Sequence, residues 1–197
     1  MKPESKKTIV IFSAFYAPFA SGAERFVEEV AKRLAARYHV VVVTSRLASN
    51  LPSVEERDGI TIRRIGLGRP FDKFLFPLLA PFVARRMAPA LVHAVMESYA
   101  GVALLLYRLI APRTPTILTL QSGDLDAPEK QSKIPQWLWR RIHTSPHHIT
   151  AISRFLAARA QRLKQVVVHE VAGRVHDDER QLLRTAVGLE AAPDARV

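Results

Sequence analysis

Cysteine is missing from the chain altogether. Its absence excludes disulfide staples, thiolate nucleophiles and cysteine-ligated zinc, and fits a reducing compartment. Glycine is scarce, at 8 residues, and the 13 prolines follow no period, so collagen-like and low-complexity architectures are excluded. No repeat recurs at a solenoid spacing. Acidic residues are outnumbered, 18 against 29 Lys and Arg, giving a formal charge of +11. Such an excess draws nucleic acid, anionic lipid or phosphorylated small molecules and does not choose among them. No apolar run reaches membrane-spanning length either. The nearest, residues 71–84, is short and contains Pro77 and Pro81. Lys6-Lys7 and the apolar stretch up to residue 20 are loosely like a signal peptide. The interruption at Tyr16-Ala17-Pro18-Phe19, followed by an amphipathic segment, reads instead as a first strand and its loop.

What is present is enough for one buried core: 197 residues, 48% of them apolar. Strand-like and helix-like segments alternate. Residues 8–12 (TIVIF) and 39–44 (HVVVVT) are continuous β-branched runs of the kind buried on both faces of a parallel sheet. Between them, residues 24–37 place Phe26, Val30 and Leu34 on one helical face and Glu28, Glu29, Lys32 and Arg33 on the other. A third strand at 59–65 is entered by an Asp58-Gly59 turn. Residues 74–87 follow as a helix interrupted by prolines. Then come a strand at 91–95, an apolar helix at 99–111 and a strand at 116–120. Beyond a polar loop (121–135) lie a helix at 136–143, a strand at 148–152, a helix at 154–163 and a last strand at 166–169. This alternation predicts βαβ units, hence a doubly wound parallel α/β sheet of the Rossmann-like class. The expected domain covers residues 1–165, with 166–197 as a linker and the start of a second domain.

In such sheets ligands bind beyond the carboxyl ends of the strands, which directs attention to 13–24, 44–50, 95–98, 121–126 and Ser153-Arg154. The dinucleotide fingerprint, the P-loop and the G-x-S-x-G elbow are all absent. Ser21-Gly22-Ala23, opening the first helix, can offer backbone N–H groups to a phosphate. Ser21-x-x-Glu24 is equally a capping box that needs no ligand. His93, inside an apolar strand, reads first as a packed residue. Gln121-Ser122-Gly123-Asp124-Leu125-Asp126 sets an amide, a hydroxyl and two carboxylates just past a strand, although glycine and aspartate also favour ordinary turns. His143, His147 and His148 match no metal spacing and read as solvated. Basic and aromatic residues interleave at 69–86 and 137–141, materials of a membrane-surface face or of a core helix with a charged rim.

Taken in order, these segments resemble the N-terminal domain of family-four glycosyltransferases of the GT-B type. The first loop, Phe15 to Glu24, is similar to F-x-P-x-x-G-G-x-E, and Asp58-Gly59-Ile60 to the family's D-G-I turn. PALVHA at 89–94 resembles P-D-V-V-H-A-H, TLQSGDL at 119–125 resembles T-x-H-G-x-D-L, and TAISRFLA at 150–157 resembles V-x-A-V-S-x-x-L-A. The resemblance spans about residues 8–163. It implies retaining transfer from a nucleotide-diphosphate sugar, as co-substrate, to a carbohydrate or lipid-linked acceptor, with no cofactor and no metal. It implies that Ser21, Gly22 and Ala23 approach the donor phosphates and that Gln121 and Asp124 face the reacting centre. Tyr16, Glu24, His93, Gly123 and Ser153 would contact the acceptor. It implies too that the donor sits mainly on a C-terminal domain, absent from these residues, so that this chain alone turns over little. Gln121 stands where the family has histidine, leaving hydrogen bonding without proton transfer, and Ser21 replaces a glycine.

The expected setting is cytoplasmic, peripheral on the inner membrane face, with an anionic membrane surface as partner. Two other readings are a non-catalytic module pairing with a separate donor domain and a basic nucleic-acid-binding domain. The charges are scattered and no nucleic-acid motif occurs, so nucleic acid is not an expected partner.

Overall fold

A computed structural model describes residues 6–19, 21–121, 135–161 and 168–170. The chain runs β1 (Thr8–Phe12), α1 (Gly22–Ala35), β2 (His39–Ser45), β3 (Val54–Arg57), β4 (Ile60–Ile65), α2 (Asp72–Arg86) and β5 (Leu91–Val95). It continues with α3 (Tyr99–Ile110), β6 (Thr116–Leu120), α4 (Gln136–Thr144), β7 (His148–Ala151), α5 (Arg154–Gln161) and β8 (Val168–Glu170). The strands form one sheet in the order β3-β4-β2-β1-β5-β6-β7-β8. Every pairing is parallel except β3 with β4.

Alternating side chains of the buried strands divide the core into two layers. Ile9, Ile11, Val40, Val42, Ile60 and Ile62 meet Val27, Val30, Ala31 and Leu34 of α1 on one face. Val10, Phe12, Val41, Val43, Leu118 and Leu120 meet residues of α2, α3, α4 and α5 on the other. The Lys6 ammonium binds the carbonyls of Ala35 and Ala36 at 3.2 and 3.3 Å, closing the C-terminus of α1.

Three expectations needed correction. The segment 54–57 (VEER) has no apolar alternation, yet it is β3, an antiparallel edge strand. Asp58 and Gly59, at φ 53° and 74°, join it to β4 as a two-residue hairpin turn. Residues 72–86 form a single helix through Pro77 and Pro81, because both prolines face inward with Phe76, Ala80 and Ala84, and that packing outweighs their helix-breaking tendency. Of the clustered histidines His143 departs from the solvated reading, while His147 is exposed and His148 half-buried. His143 is fully buried with its Nδ1 at 2.9 Å from the Trp139 carbonyl, and Nδ1 of His147 accepts the Thr116 N–H at 3.1 Å.

The turn from β4 into α2 is fixed by one carboxylate. Fully buried Asp72 accepts the N–H groups of Gly68 (2.7 Å) and Arg69 (3.0 Å). Burial alone would raise its pKa, but bonds from the N–H groups of Leu67, Arg69 and Gly68, with the charge of Arg46, hold it below the ordinary value. Gly66 has φ 123°, and a Cβ there would stand 2.3 Å from the Asp72 Cγ, so the position requires glycine. Residues 171–197, most of the expected linker and start of a second domain, lie outside the described residues.

Candidate functional site

The strand order reverses between β1 and β5: the chain fills the sheet outward from β1 toward β4, then crosses back and fills the other side from β5. At such a reversal the loops leaving the two central strands diverge and open a crevice at their carboxyl ends. The loop after β1 (from Ser13), residues 96–98 after β5, and Gln121 after β6 stand at this edge.

The first loop is tied to the sheet at several points. The Ser13 N–H donates to the Val43 carbonyl (3.2 Å), the Ser45 N–H to the Ala14 carbonyl (3.2 Å), and the Ser13 hydroxyl to the Phe15 carbonyl (2.7 Å). From β4, the guanidinium of Arg64 donates to the Ala17 carbonyl at 2.8 Å. The same group pairs with Glu55 of β3 at 2.8 Å, with the Arg64 side chain almost wholly enclosed. Burial would raise the Glu55 pKa, but Arg64 and Arg57 outweigh it and hold it below the ordinary carboxylate value.

Ser21 and Glu24 form the expected capping box. The Glu24 carboxylate takes the Ser21 N–H at 2.7 Å and also the Ser21 hydroxyl. Gly22 differs: a Cβ built there meets nothing within 4 Å. Neither packing nor backbone conformation demands glycine, and the ground above the first turn of α1 is open. Ala23 beside it is half-buried.

At the ends of β5 and β6 the chain assembles a group that sequence reasoning only bracketed. Glu97 is 1% exposed, and its Oε2 accepts the backbone N–H of Gln121 at 3.3 Å. Met96 beside it takes φ 76°, a region that costs a non-glycine residue about 1–3 kcal/mol and collects at functional sites. The side-chain Nε2 of Gln121 is enclosed with no hydrogen-bond partner among the described residues. The available signal was position: Glu97 is an acid set between an apolar strand and an apolar helix.

The other candidates fall into two groups. Tyr16 is buried in the α1-side core, and burial, then the charge of Glu28, pushes its phenol up to about 12, so it is a neutral hydroxyl. His93 is buried, its Nε2 2.6 Å from the Thr119 hydroxyl, which lies 2.6 Å from that of Thr150. Desolvation lowers the His93 pKa to about 4, leaving a neutral imidazole in a polar row across β5, β6 and β7. The Ser153 hydroxyl accepts the Leu156 N–H at 3.3 Å and caps α5. The structure thus brings Gln121 to the crevice edge with Glu97, and engages Tyr16, His93, Ser21, Glu24 and Ser153 in internal contacts. Gly123 and Asp124 lie outside the described residues. Among the described residues no group of three or more metal-ligating side chains gathers, and no helix is long and apolar enough to cross a membrane.

The sequence model of the family described as Glycosyltransferase Family 4 matches residues 20–171. No curated protein matches the sequence significantly. Among solved structures, a piece of the sucrose-phosphate synthase of Thermosynechococcus elongatus superposes with a TM-score of 0.69 at 15% identity, covering 94% of this chain and 100% of that one. The longer structure of the same enzyme gives 0.65 at 16% identity, covering 84% and 47%. A glycosyltransferase from Rickettsia africae gives 0.55 at 15%, covering 96% and 51%. The chain therefore spans about half the length of these longer relatives. At such identities the likeness is one of fold: the Rossmann-like α/β sheet with flanking helices, shared with GT-B enzymes.

Proposed function

Because the chain belongs to glycosyltransferase family 4, we propose that it is the acceptor-side half of a retaining enzyme that moves a sugar from a nucleotide-diphosphate donor onto a carbohydrate or lipid-linked acceptor. In that step the bond from the anomeric carbon to the diphosphate oxygen breaks, a bond from the same carbon to an acceptor hydroxyl oxygen forms on the same face, and the hydroxyl's proton passes to the departing diphosphate. Negative charge grows on the departing diphosphate. The N–H groups of Gly22 and Ala23, in the positive first turn of α1, meet that charge. Gln121 and Asp124 hold acceptor and sugar by hydrogen bonds, Gln121 without moving a proton.

The observation that carries this reading is the switch-point edge itself: the buried Glu97 carboxylate takes the Gln121 backbone N–H, the Gln121 side-chain nitrogen has no hydrogen-bond partner among the described residues, and Gly22 opens α1 with free space above it. The test is turnover by the whole gene product across a panel of nucleotide-diphosphate sugars and acceptors, with the product's anomeric configuration read by NMR. Retention is expected. Gly22→Val should lower turnover about a hundredfold, because it displaces the phosphates from their amides, while moving stability by no more than about 1 kcal/mol. An inverted product, or full turnover by Gly22→Val, overturns the reading.

A further inference from the structure

The side of α2 turned away from the sheet is apolar as well. Phe71, Phe74, Leu78 and Phe82 follow one another at intervals of three or four residues along one line of the helix and are 40%, 58%, 55% and 59% exposed. Leu79 stands beside this line and Leu67 precedes it, also exposed. Folding does not require these side chains outside: the inner face of α2 already supplies Phe76, Ala80 and Ala84 to the core.

The charges around the stripe carry one sign. Residues 67–87 hold Arg69, Lys73, Arg85 and Arg86 against the single acid Asp72, and that carboxylate is buried in bonds to backbone N–H groups. Solvent therefore meets aromatic and leucine side chains flanked by cations at both ends of one helix. A protein partner of matching form would need an apolar groove rimmed by acids. An anionic bilayer supplies apolar depth and negative headgroups together.

The stripe also connects with the crevice. The Phe74 ring packs edge-on against Tyr99 at 5.7 Å, and Tyr99 against Phe15 of the first loop at 6.3 Å. A run of three rings thus leads from the exposed face to the loop after β1. We propose that the outer face of α2 is a docking surface for an anionic lipid bilayer, with Phe71, Phe74, Leu78 and Phe82 inserted at headgroup depth and Arg69, Lys73, Arg85 and Arg86 on the phosphates. The crevice is then held beside the membrane.

Vesicle binding tests this with no turnover required, so its outcome is separate from that of the transfer reaction. The full chain should co-sediment with vesicles of phosphatidylglycerol and phosphatidylcholine, but not with phosphatidylcholine alone, and less as salt rises. Phe74→Ser and Phe82→Ser should each weaken binding about tenfold. Arg85→Gln with Arg86→Gln should weaken it about thirtyfold. Unfolding midpoints of Phe82→Ser and of the double arginine variant should stay near that of the parent, while Phe74→Ser also loses its ring contact with Tyr99 and should fall modestly. Phe82→Trp should keep binding and be quenched by brominated lipid. No binding to the anionic vesicles overturns the proposal. So does binding indifferent to both phenylalanines, which would assign it to scattered charge. Self-association abolished by Phe82→Ser would give the face to a second copy of the chain and overturn it equally.

Discussion

Helices α1 and α2 lie on opposite faces of one sheet and follow different plans. In α1 one side is apolar and buried while the other carries charges paired along the helix: Lys32 with Glu28 at 2.8 Å and Arg33 with Glu29 at 3.8 Å. Its outward side is fully explained by solvent. In α2 both sides are apolar, and the outward one is left to water. They also begin differently, although each uses a carboxylate of its first turn. Glu24 reaches back to Ser21 next to the helix, whereas Asp72 reaches past the N-cap to Gly68 and Arg69. Burial, full or partial, accounts for every large apolar side chain of α1. For α2 it accounts for only half, and the other half points to something outside the domain.

The sharpest way to test this contrast is within α2. Phe76→Ala on the buried face should cost about 3–5 kcal/mol in urea unfolding, while Phe82→Ser across the helix should stay within about 0.5 kcal/mol. Equal losses would mean that the outer face is part of the fold.

Next in size is the start of α2. Asp72→Ala leaves the N–H groups of Gly68 and Arg69 without acceptors and should cost about 1–3 kcal/mol at neutral pH. The Asp72 pKa is held below its ordinary value of 3.8, so its contribution is complete above that pH and is lost as pH falls through the lower folded-state value. The parent and Asp72→Ala should therefore converge only in strong acid; a gap unchanged there would break the assignment.

Removing the corresponding carboxylate of α1, by Glu24→Ala, should cost about 1 kcal/mol, the usual worth of a helix cap. A loss larger than that of Asp72→Ala would reverse the comparison. Smallest of all is Lys32→Ala on the solvated side of α1: the ion pairs there are exposed, and the unfolding midpoint should not move measurably.

Much of the frame was legible because its signals are local. TIVIF, HVVVV and LVHAV are continuous apolar runs, and only a sheet covered on both faces buries such strands. The edge strand was not legible. Val54–Arg57 is mostly polar and buries little, so its place is set by the hairpin turn and by pairing with β4. The two prolines of α2 misled because propensity treats each residue alone, whereas the inner face is held by its neighbours. At the site, Gln121 was legible from its position after a strand. Arg64 was not: Arg63 and Arg64 are adjacent and identical, and only the alternation of β4 sends one to solvent and encloses the other. The open space above Gly22 likewise depends on how the folded chain surrounds the start of α1, which no local signal carries.

The Arg64 tether sets a rule for recombination. A chimera that transplants only the first loop would sever the bond from Arg64 to the Ala17 carbonyl and leave an enclosed guanidinium facing an unfamiliar backbone. A portable cassette therefore consists of two pieces far apart in sequence, the β1–α1 loop together with the β3–β4 hairpin that carries Glu55 and Arg64. Crossovers that move both pieces should yield folded hybrids where single-loop exchanges yield insoluble ones.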